Sequence, residues 1–161
     1  MDKRKLIPTL KIIHIALVLG LVILGAISYF YGVGFVTNFE VTGDIFIYLV
    51  PIFAILGYFG SIYLFRKTVT AINKNDSLNK KLIQYQKALI VKFACIEAPA
   101  ILALLIFMRN GYVLYFNIAV CLVIYLAIQT PTRDKLVKNL QLKPKEQKKL
   151  YKKNKNAKPL S

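Results

Sequence analysis

Four apolar runs organise this chain: Ile12 to Tyr31, Ile45 to Phe65, Ala88 to Met108 and Tyr112 to Ile128. Each comes close to the ~20 residues that a helix needs to cross a hydrocarbon core. The segments around them alternate in charge. Lys3, Arg4, Lys5 and Lys11 lead into the first run, and Arg66, Lys67, Lys74, Lys80, Lys81 and Lys87 separate the second from the third. Eleven basic residues follow the fourth, from Arg133 to Lys158. The connection Gly32 to Asp44 has no basic residue, and the turn before the fourth run has only Arg109. Because Lys and Arg are retained on the cytoplasmic side, the pattern predicts an all-α membrane protein with four transmembrane helices. They are expected to form two antiparallel hairpins in an inner membrane, with both termini cytoplasmic. Residues 1–131 are then the transmembrane domain and residues 132–161 a basic cytoplasmic tail.

The N-terminus also has features of a secretory signal peptide: basic residues, an apolar core from Ile12 to Gly25, and the small pair Ala26 and Ser28. Apolar character continues through Tyr29, Phe30 and Tyr31, where tyrosine suits the headgroup level. An uncleaved first span is expected.

With 161 residues, 57% of them hydrophobic, and a mean hydropathy of +0.52, the chain has room for one small helical unit. Its net charge of +16 flanks apolar spans, where anionic headgroups attract each Lys or Arg by roughly 1 kcal/mol. The expected partner is therefore a lipid bilayer with anionic headgroups, together with other membrane proteins or a second copy of the chain, and not nucleic acid. Headgroup contacts are expected from Lys135, Lys138, Lys143, Lys145, Lys148, Lys149, Lys152 and Lys153. Cys95 and Cys121 lie inside apolar runs and read as small core residues, at similar depth if the third and fourth helices are antiparallel. His14 reads as a solvated or hydrogen-bonded ring. Phosphate loops, HExxH, nucleophile elbows and CxxC are absent from the sequence, so neither an enzyme nor a cofactor is expected.

Small residues mark helix contacts: Ala16, Gly20, Gly25 and Ser28 in the first run, and Gly57, Gly60 and Ser61 in the second. Gly43 and Asp44 end the first connection, with Asp44 at the positive dipole end of the second helix. Arg109, Asn110 and Gly111 make a tight turn, which requires the third and fourth helices to be antiparallel. Asp76 or Ser77 can cap a third helix that begins near Leu78, outside the bilayer. Pro131 stops the fourth helix. Leu136, Val137 and Leu140 suggest a short amphipathic helix on the inner leaflet, and Lys143 to Ser161 has too little apolar content to fold.

Glu97 lies midway along the third run, where an acidic side chain costs roughly 2.5–3.5 kcal/mol on insertion scales. Pro99 removes a backbone donor and frees the carbonyl of Cys95, while Ala94 and Ala98 offer a face for another helix. Tyr58, Ser61 and Asn117 are at comparable depth, so the expected polar centre is Glu97 with Pro99, Tyr58, Ser61 and Asn117. No metal is expected there.

The stretch Glu97-Ala98-Pro99-Ala100, preceded by Gln84-Tyr85-Gln86-Lys87 and followed by Pro131-Thr132-Arg133, resembles a group of small bacterial four-span membrane proteins with no assigned activity. A single carboxyl within a helical hairpin is also loosely similar to the rotor-ring proteolipids of proton-translocating ATPases, which implies an ion-binding role for Glu97. The chain lacks their repeated glycines and has a proline beside the acid. The expectation is an accessory or scaffolding membrane protein in which Glu97 stabilises helix association. The alternative is a component of a proton or cation pathway with Glu97 as the exchanging group.

Overall fold

The computed structural model describes residues 6–37, 44–73 and 75–151. Lys3, Arg4, Lys5, Gly43, Lys74, Lys152 and Lys153 lie outside them, as do the side chains of Lys148 and Lys149. The described chain is all-α, with α1 (Leu6–Tyr31), α2 (Phe46–Thr70), α3 (Leu78–Asn110), α4 (Val113–Ile128), α5 (Arg133–Leu140) and α6 (Pro144–Tyr151).

Helices α1, α2 and α3 are each long and apolar enough to cross a membrane. With 16 residues, α4 is ~24 Å long. It meets the same test only together with α5, from which it is bent by 82°. The helices therefore supply three spans, or four if α4 and α5 are one broken span. The bend follows from Pro131 and from Thr132, whose hydroxyl accepts the Lys135 N–H at 3.3 Å and starts α5 afresh.

Polarity is inverted relative to a water-soluble bundle. Ile12, Val22, Phe30, Ile52, Leu56 and Phe59 are all more than half exposed, while His14, Ser28 and Ser61 are buried. Those apolar flanks have no place in water, whereas the buried hydroxyls satisfy themselves locally. Ser28 donates to the Leu24 carbonyl at 2.8 Å and Ser61 to that of Tyr58 at 2.7 Å.

At the centre is α3, 33 residues and ~50 Å long. It packs against α2, α4 and α1, and Phe93, Ile96, Ala100 and Ala103 on it are fully buried. The expected α3–α4 hairpin forms around Gly111, whose φ of +72° suits glycine. The other expected hairpin does not: α1 packs on α3 and α4 rather than on α2. After α1 the chain is tied to the α3–α4 turn: Val36 N–H donates to the Gly111 carbonyl at 2.8 Å and Val113 N–H to that of Val36 at 3.3 Å.

The expectation that Lys143 to Ser161 does not fold is corrected over Pro144–Tyr151 by α6, and residues 152–161 lie outside the described residues. Glu146 pairs with Lys81 at 2.9 Å and accepts the Lys143 N–H at 2.9 Å, and Leu150 is buried. One counter-charge and one leucine suffice to hold a short helix against the projecting first turns of α3. Leu136 and Leu140 of α5 are likewise buried within the protein, so the amphipathic face predicted for the lipid leaflet is covered by the fold itself.

Candidate functional site

Pro99 and Gly57 define the tightest seam. A Cβ on Gly57 would overlap the Cys95 carbonyl and stand 2.8 Å from the Pro99 ring. The carbonyl that Pro99 deprives of its helical donor is therefore approached by the bare backbone of α2. Such close approach suits weak Cα–H···O contacts and lets dispersion act where lipid provides no hydrophobic drive. Beside the seam, Phe53, Leu56, Val91, Ala94 and Ala98 line an apolar groove of about 450 Å³.

Glu97 lies on another arc of α3. Four residues before it, the Phe93 ring meets the His14 ring of α1 at 5.1 Å. Seven residues after it, Leu104 packs 3.8 Å from the Cβ position of Gly25, also on α1. Helical spacing puts Glu97 on the same stripe, at the border with the exposed Ala94 and Ala98. The side chain is half-buried, and among the described residues no hydrogen bond or ion pair reaches its carboxyl.

The side chains expected around it are grouped elsewhere. Tyr58 and Asn117 line a second apolar groove with Tyr125 and Cys121, between α2 and α4. There the rings of Tyr58 and Tyr125 are 4.8 Å apart, and the Ser61 hydroxyl is within hydrogen-bond reach of Tyr125. Pro99 belongs to the α2 seam. The five residues predicted as one centre thus separate into a lone carboxyl, a packing seam and an aromatic groove. Cys95 and Cys121 likewise line different grooves.

A polar network that spacing did not reveal occupies the basic end of the bundle. Lys92 donates to the Gln129 amide oxygen at 2.7 Å, and its ammonium stands 4.9 Å from the Phe65 ring centre. Asn139 donates to the buried Tyr85 hydroxyl at 3.2 Å. The Lys81 hydrogen bond is the largest influence holding the Glu146 carboxyl below the usual range. Nearby, His14 Nε2 lies 2.8 Å from the Leu126 carbonyl. The sequence signal for these pairs was slight: Lys81 sits between Leu78 and Leu82 on a buried helical stripe, where an unpaired cation is costly.

Of the lysines expected to contact headgroups, Lys135, Lys138, Lys143 and Lys145 are exposed. Lys135 and Lys138 line a cavity against α2 and α3.

Three apolar helices of membrane-spanning length and an apolar exterior make this a multi-pass integral membrane protein. No family model, curated protein or solved structure matches the chain.

Proposed function

We propose that this protein is an accessory or scaffolding subunit of an inner membrane, with its basic end and both termini in the cytoplasm, and that its Glu97 face receives a transmembrane helix of another membrane protein. One observation carries the reading: a carboxyl at mid-span has no partner among the described residues, beside two exposed alanines. A carboxyl in that setting is costly unless a donor is brought to it. Ala94 and Ala98 permit the close backbone approach that would bring one. The orientation rests on the basic flanks alone.

A photo-crosslinking side chain placed at Ala98 in intact membranes tests this. Adducts with one distinct membrane protein are expected, retained in Glu97→Gln and reduced severalfold in Glu97→Leu. Gln keeps donor and acceptor capacity, whereas Leu removes an interhelical hydrogen bond of about 1 kcal/mol. Lipid adducts only, or equal yields from the Leu variant, would refute the docking role. A proton or cation flux in reconstituted vesicles that disappears in Glu97→Gln would establish the pathway reading instead.

A further inference from the structure

The cavity at the basic end is unlike the two apolar grooves. It has a volume of about 430 Å³, within the ~300–1,000 Å³ typical of small-ligand pockets. Arg66 of α2, Lys92 of α3, and Lys135 and Lys138 of α5 converge on it from three helices, and no lining residue is acidic. None of the four enters an ion pair among the described residues. Bringing like charges together without a counter-ion raises their mutual energy, and an anion in the cavity relieves it.

The polar groups are also positioned. Gln129 fixes the Lys92 ammonium, and Lys135 Nζ is tethered to the Thr130 carbonyl at 3.1 Å. Tyr85, 1% exposed, accepts from Asn139, which leaves its own hydroxyl proton to donate. Ile62, Phe65 and Leu89 line the remaining wall, and all three belong to the membrane-crossing helices α2 and α3. The cavity is cationic on one side and apolar on the other.

We infer that this cavity binds the phosphate of one anionic phospholipid, with Arg66, Lys92, Lys135 and Lys138 around the phosphate and the acyl chains against α2 and α3. This differs from a diffuse attraction of lysines to a charged surface, because the predicted stoichiometry is one lipid and the donors come from three separate helices. It is independent of the Glu97 face.

Native mass spectrometry of the full-length protein in mild detergent, titrated with phosphatidylglycerol, phosphatidylcholine or inorganic phosphate, tests it. A single saturable phosphatidylglycerol adduct is expected, with apparent affinity weakened about tenfold or more in Arg66→Gln/Lys92→Gln, as loss of charge-assisted hydrogen bonds implies. The charge-matched control Lys67→Gln/Lys87→Gln, at the same end but outside the cavity, should bind as the wild type does. In the wild-type chain, which does not depend on any variant folding, Tm should rise saturably with phosphatidylglycerol and not with phosphatidylcholine. Equal weakening in both double variants, several adducts without saturation, or the same Tm rise from inorganic phosphate alone would overturn the assignment.

Discussion

The two ends of the bundle are closed by different chemistry. At the end that joins α1 to α2 and α3 to α4, the main chain makes most of the ties, beside one side-chain bond in which the Asn110 amide donates to the Asp44 carboxylate at 2.7 Å. Val33 N–H donates to the Met108 carbonyl, Val36 N–H to that of Gly111 and Val113 N–H to that of Val36, and a Cβ on Gly111 would overlap the Gly34 carbonyl. At the basic end, side chains make the ties: Lys92 to Gln129, Tyr85 to Asn139 and Lys81 to Glu146. A backbone closure depends on shape and is indifferent to pH and salt. A closure by titratable side chains responds to both, so the end that carries the cationic cavity, where three side-chain pairs make the ties, is the more adjustable one.

The largest expected effect comes from breaking the backbone end. Gly111→Val forces a β-branched residue to φ +72° and drives its Cβ into the Gly34 carbonyl. A loss on the order of 3 kcal/mol is expected, read as a lower Tm in detergent at every pH. An unaltered Tm would mean that this end is not sterically closed.

A smaller and local effect is expected at the other end. Glu146→Gln keeps an acceptor but removes the counter-charge of the buried Lys81, so α6 should open up to about tenfold more often, consistent with roughly 1.5 kcal/mol for a charged hydrogen bond. Limited proteolysis after Lys145 would show it, with the transmembrane helices unaffected. The wild type should behave in the same way on acidification. Because folding lowers the Glu146 pKa from its ordinary 4.5, the stabilisation is fully present above that value and is lost as pH falls through the lowered one. Equal protection of α6 at pH 7 and pH 3 would show that Leu150 alone holds it. Tyr85→Phe should matter least. Asn139 is exposed and regains water, so the cost should stay below about 1 kcal/mol in Tm measurements.

The same contrast explains what the sequence disclosed. Helix α3 could be placed from Ser77 to Gly111 because its apolar stripe, its polar start and its glycine stop are all local signals. Gly57 was legible as a small residue, and Pro99 as a kink, but their meeting depends on the register between two helices, which no local pattern records. Glu97 was conspicuous by cost alone. Its proposed partners shared only its depth, and depth leaves the angle around each helix axis open. The α6 helix was missed because its lysines dominate the composition, whereas its stability comes from Glu146 reaching a residue 65 positions away.

The packing of α1 on α3 and α4 has a consequence for how the chain is made. Helix α1 is translated first, yet its contacts lie on α3 and α4, and the His14 ring must await a carbonyl 112 residues downstream. At ~5–20 residues per second, α1 remains for on the order of ten seconds without the surfaces that later bury it. During that interval its imidazole has only headgroups, water or the insertion machinery for company. Helices α3 and α4, joined by one tight turn, need no such wait. The surface that buries α1 is thus the last hairpin to be made.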